Sequence, residues 1–551
     1  MMCLAGAGGD ARQFWEDMID IGRHDILRAL LITGTPEQLR ELTKRQSDVG
    51  RWQAKLCKDP GLSAVLKEFP YQSNKRIPQN FNGKATFTNT EEEILCRHLA
   101  TYQQEEQARD PRIKFSYDKF RSAKEIKSNV KPDIEKTYEA LKAQASEAHL
   151  INNDEGFGQF LAGQFAAMEK ENQPARLMLV ESTNHTMNLG LRIKPKEGKP
   201  SYVVKFFDPN VTTTGTRSKA GNVQTLEMQA IAPYITDEES LRAYYPEARG
   251  LSMIYVRSEA QSQANIAISR GSSAGRTLTT CIETKDIDAT AVWHLMREGF
   301  AGNLRQLHDH LNTLPEDRRI EIIVGKSPDG VPALFMSMQN GHAEAINAYR
   351  ELLASMPEMP EKERIELIAA KDSAGFPALF RGMQNGHAKA INAYRELLAS
   401  MPEKERIELI AAKKPDGTSA LYIVMARGQS ELIQAYGDLL KLVPIDKQVE
   451  LLLAKNSAGR AEGKSGLHAA LTMGKFETVK VLLNMLEGLA PNLSPEQRAS
   501  LWQELKGYEA SITQCTFPPT PLSHRQYGEM KSTFSHLMSA LEGEGTLGRG
   551  T

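Results

Sequence analysis

Apolar and polar positions alternate along "ARLMLVEST" from Ala175, "TMNLGLRIK" from Thr186, "SYVVKFF" from Ser201 and "LSMIYVRSE" from Leu251. A period of two predicts half-buried strands. Upstream, "EEEILCRHLATYQQEEQ" and "VKPDIEKTYEALKAQASEAH" read as helices. So do "ARQFWEDMIDIGRHDILRALLITG" and "PEQLRELTKRQSDVGRWQAKL" within residues 1–75. Helices followed by an antiparallel sheet predict an α+β arrangement over residues 76–287. The Gly-rich stretches "GTRSKAGNVQ" and "SRGSSAGR" lack the order of a phosphate loop and are expected to be loops.

The pattern changes in the second half, where "QNGHAEAINAYRELLASMPE" and "QNGHAKAINAYRELLASMPE" reveal a repeat. Aligning the glycine between paired helices gives Gly299, Gly341, Gly386, Gly428 and Gly474, at intervals of 42, 45, 42 and 46 residues. Each unit opens on a turn such as "DG" or "AG", followed by a short helix, the glycine and a longer helix. Ile346, Tyr349, Leu352 and Leu353 form the buried stripe of one longer helix. The units resemble ankyrin repeats lengthened by "PEKERIELIAAK", read as an added helical turn or two. Five of them across residues 288–490 predict an all-α solenoid, a binding surface by default. His342 and His387 recur in register and are expected to hydrogen-bond the turn, with no metal between them. Residues 491–551 are expected to hold a capping helix and a disordered tail.

The hairpin "TNHTMNLGLRIKPKEGKPSYVVKFFDPN" has His185 near one end and Asp208 near the other. Its turn is centred between residues 197 and 198, so opposed residues sum to about 395. His185 and Asp208 sum to 393, within one pairing step of direct opposition. A carboxylate beside a histidine fixes its tautomer and stabilises the imidazolium. The same pair also reads as an ion pair at the open end of a hairpin. A nucleophile would change its meaning, and Cys96 in "FTNTEEEILCRHLA" is the candidate. There Thr90 and Glu93 resemble a capping box, which would put Cys96 in the second helical turn. Cys on an early helix, His opening a strand and Asp ending the next is the order of papain-like enzymes. Imidazolium pairing then makes the thiol an acyl-transfer nucleophile. Gln79 and Asn82 are candidate oxyanion donors, and His98 is an alternative base two helical positions from the cysteine.

Composition narrows this picture without redirecting it. The formal charge of the 551-residue chain is −1, so no global field favours nucleic acid or anionic membrane. No apolar run approaches the roughly 18 residues of a membrane span. The start, "MMCLAGAGGDARQFWEDM", is not expected to act as a secretory signal. Cys3, Cys57, Cys96, Cys281 and Cys515 form no CxxC pair, which argues for reduced thiols and against a thiolate zinc site. No cofactor or metal is expected.

Together "FNGKATFTNTEEEILCRHLA", "STNHTMNLGLRIK" and "YVVKFFDPN" resemble the Shigella enterotoxin 2-type family, which includes EspL-like effectors. The resemblance spans roughly residues 76–285. It implies a papain-like cysteine protease domain with Cys96, His185 and Asp208 as its triad, followed by ankyrin repeats. It further implies secretion by a bacterial type III system into the host cytoplasm. The expected substrates are host proteins of inflammatory or cell-death signalling, including those with RHIM segments, recruited by the repeats. A secretion chaperone at the N-terminus is a further implied partner. Two other readings remain: a non-catalytic ankyrin adaptor, and a deamidase or acyltransferase built on the same thiolate.

Overall fold

The computed structural model describes residues 70–542 except 111, 154, 197–198, 228, 236–237, 246–249, 259–286, 328, 357–358, 458–461 and 514–520. The helices expected in residues 1–69, "SRGSSAGR", Cys3, Cys57, Cys281, Cys515 and the C-terminal tail lie outside the described residues. The described chain forms two compact units, one ending at Asp288 and the other beginning at Ala289.

The first unit runs β1 (Tyr71–Gln72), α1 (Cys96–Ala108), α2 (Ala123–Asn129), α3 (Ile134–Ala143), β2 (Glu147–Asn152) and α4 (Glu155–Lys170). It continues with β3 (Ala175–Glu181), β4 (Thr186–Lys196), β5 (Lys199–Phe207), β6 (Thr216–Ala220), α5 (Val223–Glu227), α6 (Glu238–Tyr244) and β7 (Leu251–Val256). All seven strands join one sheet in the order β1-β6-β5-β4-β3-β7-β2. Every pairing in it is antiparallel. The β4–β5 ladder runs from Asn188↔Phe207 to Lys196↔Lys199, pairs that sum to the 395 expected from the turn.

Alternation divides the side chains of β4 and β5 between two faces. Met187, Leu189 and Leu191, with Tyr202, Val204 and Phe206, pack against Phe157, Leu161, Phe165 and Met168 of α4. The opposite face carries α1, whose Leu99 joins Phe87, Ile94, Phe120 and Phe207 in a second core. The side of α1 facing the sheet is polar: Asn188 Nδ2 donates to Gln103 Oε1 at 2.7 Å and Gln107 Oε1 at 2.8 Å. A buried amide must find such partners, so this contact fixes the helix over the hairpin.

Three local expectations are corrected. "GTRSKAGNVQ" is no loop: Thr216–Ala220 pairs with β5 as β6, and α5 follows. The helix expected through "ASEAH" stops at Ala143, because Glu147–Asn152 is drawn into the ladder with β7. Tertiary pairing overrides local propensity there. The capping box at Thr90 does not form. Residues 83–94 fold back on themselves instead, with Phe87 N–H bonded to Glu92 O and Ile94 N–H to Ala85 O. The helix starts only at Cys96.

In the second unit the five repeats are built from helices. Ala333–Asn340, Ala343–Ala354 and Glu361–Ile368 form one unit, and Ala378–Asn385, Ala388–Ala399 and Glu403–Ile410 the next. First helices stack on first helices and second on second along the array. The added segment is a complete third helix, opened by Pro360 and Pro402 in the two copies. Gly341 and Gly386 adopt φ of 81° and 90°, which closes each first helix in the left-handed conformation. Tyr349, Tyr394 and Tyr436 are buried and donate to the carbonyls of Ile323, Ile368 and Ile410 in the preceding unit. His387 bonds the carbonyl of Gln339 in the unit before it. Pro495–Lys506 and Pro521–Glu542 follow the last repeat, and the longer of them packs against Phe476–Leu489.

Candidate active site

Cys96 is the first residue of α1 and is half-buried. Its own N–H has no acceptor within the helix, and the helix end presents partial positive charge to the sulfur. That is a stronger setting for a thiolate than the second turn. His98 makes this start possible: its Nδ1 accepts the N–H of Leu95 at 2.9 Å and its Nε2 hydrogen-bonds Glu135. Both ring nitrogens are committed, so His98 is a cap and not an alternative base. Arg97 Nε donates to the same Glu135 carboxylate at 2.8 Å.

His185 immediately precedes β4 and Asp208 immediately follows β5, so the two stand at the open end of the hairpin. The His185 Nε2–Asp208 Oδ1 distance is 2.9 Å, with 5% and 4% of these residues exposed. Burial to this depth removes the reading as a solvated surface ion pair. With Nε2 committed to Asp208, the ring nitrogen left for the sulfur is Nδ1, and Cys96 and His185 lie near enough for each to shift the ionisation of the other. Burial acts to lower the His185 pKa, but the charges and hydrogen bonds of Cys96 and Asp208 prevail and raise it to about 9. Burial likewise acts to raise the Cys96 thiol, yet His185, the backbone of Thr186 and Arg97 bring it below its ordinary value. Each group favours the charged form of the other.

The turn around Asp208 is bonded inward. Oδ1 also accepts from the N–H of Asn210 and from the hydroxyl of Tyr244, both at 2.9 Å. Asn210 Oδ1 accepts from Asn82 Nδ2 at 2.8 Å, which connects one candidate oxyanion donor to the Asp208 turn. Asn82 Oδ1 is buried without a hydrogen-bond partner. Gln79 is exposed, and its backbone N–H donates to Thr213 Oγ1 at 3.0 Å.

Tyr244 was not legible as a site residue in the sequence. It stacks on His185 with ring centroids 4.1 Å apart and planes 6° from parallel. Asn184 Nδ2 caps the carbonyl of the adjacent Ala243 at 3.0 Å, tying α6 to the His185 turn. The only local sign is the doublet "YY" at 244–245, which no spacing rule connects to a hairpin far upstream.

Residues 58–327 match the family model described as ShET2 enterotoxin, N-terminal region. This segment belongs to the ShET2 enterotoxin family. Effector protease OspD3 of Shigella flexneri is 27% identical over 291 residues, covering 52% of this chain and 48% of that protein. Ankyrin repeat protein A of Escherichia coli (strain K12) is 24% identical over 282 residues, covering 51% of this chain and 37% of that protein. The matched portion thus spans about half or less of the length of these curated relatives. Cys96, His185 and Asp208 all fall inside the segment that carries the ShET2 family match. Among the described residues no helix is long and apolar enough to cross a membrane, and no cluster of His, Cys, Asp or Glu could hold a metal ion.

Proposed function

We propose that this chain is a cysteine protease of the papain-like kind, with Cys96 as nucleophile, His185 as acid and base, and Asp208 orienting His185. The observation that carries this reading is the buried His185–Asp208 hydrogen bond set beside Cys96 at the start of a helix, with thiol and imidazole each shifting the other. The Cys96 thiolate attacks the substrate carbonyl carbon, and the carbonyl oxygen takes up negative charge. The Cys96 N–H and the Asn82 amide are the donors we assign to that oxyanion. His185 passes its proton to the leaving amine, then as a neutral base activates the water that hydrolyses the thioester.

The name of the Shigella flexneri relative supports the same class of reaction. We further propose delivery as a type III effector into the host cytoplasm. The repeats would recruit a host protein of inflammatory or cell-death signalling and raise its concentration at the cleft.

The test is to incubate the chain and its Cys96→Ala variant with host cytosolic extract and map new protein N-termini. New termini formed by the unaltered chain alone are the expected result. Glutamine-to-glutamate conversion without new termini would favour the deamidase, and no covalent change in either sample would favour the adaptor.

A further inference from the structure

We propose that the α1-side face of strands β4 to β6, around Arg192, Lys194, Lys205 and Arg217, binds a multiply phosphorylated anion. This inference does not depend on the protease reading.

The strand register assembles the patch. Gly190, Lys205 and Arg217 stand in one row across β4, β5 and β6; Arg192 pairs with Val203 in the next row, and Lys194 with Ser201 in the third. These residues share the face that carries α1, but lie past its C-terminal end, where Ile113 packs against Gly190. Cys96 is at the other end of the same helix. The patch is therefore separate from the triad.

No ion pair described in the chain neutralises it. Like charges directly opposed across strands are destabilising, and Lys205 directly opposes Arg217. Among the described residues, Arg192, Lys194 and Arg217 make no ion pair with a carboxylate. Arg217 lies over the Tyr71 ring at 5.5 Å, and its Nε is buried without a hydrogen-bond partner. Lys205 spends its donors on the carbonyls of Arg112 and Ile113. Burial and then the charges of Arg192, Arg217 and Lys194 hold its pKa down to about 7, with only Asp110 opposing them. Lys194 is lowered by burial, Arg192, Arg217 and Lys114. A chain of net charge −1 has no general excess of cations to explain such crowding.

The shape of the patch selects the ligand. Adjacent strands are about 4.8 Å apart and same-face neighbours about 6.8 Å, so the backbone positions of the cations span roughly 10 by 14 Å. Two guanidinium forks in that area suit phosphate oxygens. An extended acidic peptide would need a free strand edge, and β4, β5 and β6 are interior strands.

Binding of inositol hexakisphosphate to the full chain would be measured by calorimetry and by thermal shift. Vesicles with and without phosphatidylinositol 4,5-bisphosphate form a parallel arm, and polyglutamate is the competing probe. The unaltered chain should bind the hexakisphosphate and be stabilised by it. The Arg192→Gln/Lys194→Gln variant should lose affinity by about tenfold or more. Without ligand it should melt at the same temperature or higher, because repulsion is relieved. Lys362→Gln, on the exposed surface of the repeats, should bind as the unaltered chain does. Binding to the bisphosphate vesicles as well assigns the phosphate to a lipid headgroup; binding to the free ligand alone assigns it to a soluble one. Unchanged affinity in the double variant, or tighter binding of polyglutamate than of either phosphate, overturns the proposal.

Discussion

Tyr244 covers His185 face to face, with 4.1 Å between ring centroids, and its hydroxyl donates to the Asp208 oxygen that also bonds the imidazole. One residue thus restrains both members of the pair: the ring limits rotation of His185, and the hydroxyl holds the carboxylate. Tyr244→Phe keeps the stack and removes only the hydroxyl, and should slow substrate turnover on the order of tenfold. In an Asp208→Asn background the same change should cost a smaller factor, because the coupling acts through the carboxylate. Equal factors in the two backgrounds would mean that the hydroxyl acts independently of Asp208.

Alkylation of Cys96 by iodoacetamide, followed by mass spectrometry of its peptide, should report the mutual shift of Cys96 and His185 directly. The thiol is lowered, so thiolate persists as pH falls below the ordinary thiol range and is lost only at the lowered value. The imidazolium is raised, so it survives above neutrality and is lost as pH rises through about 9. A reactive shoulder below the ordinary thiol range, with a change in slope near 9, is expected. His185→Ala should remove that shoulder and return the profile to that of an ordinary thiol.

His98→Ala should separate the cap from the base. Its ring satisfies the Leu95 N–H at the start of α1, so the substitution should destabilise the fold by about 0.5–2 kcal/mol in chemical denaturation. The low-pH shoulder of Cys96 alkylation should remain. Its disappearance in a variant that still folds would implicate His98 in the proton chemistry.

Two glycines of α4 should respond in opposite directions. A β-carbon at Gly158 would lie 2.2 Å from the Glu227 carbonyl oxygen, whereas one at Gly163 meets nothing within 4 Å. Gly158→Ala should therefore destabilise the protein by about 1–3 kcal/mol through overpacking. Gly163→Ala, exposed in mid-helix, should stabilise it by about 0.5–1 kcal/mol. Thermal unfolding of the two variants measures both.

Local chemistry made much of this protein legible in its sequence. The strands β3, β4, β5 and β7 follow from period-two alternation, because one face of each packs on the core. The hairpin register follows from turn length, which is why simple addition brought His185 to Asp208. The repeat follows from a recurring glycine that must close a helix in the left-handed conformation. Tertiary contacts decided the rest. Cys96 opens its helix because the preceding chain pairs with itself and because His98 turns back to cap Leu95. β6 is a strand because β5 offers it a ladder, despite a Gly-rich sequence. Tyr244 meets His185 only because α6 is tied to the turn before β4. The sequence by itself set the periodicities and short-range pairings, whose partners are a few residues apart along the chain. Only the folded chain could set the contacts that complete the site, since their partners are remote in sequence and no local period encodes them.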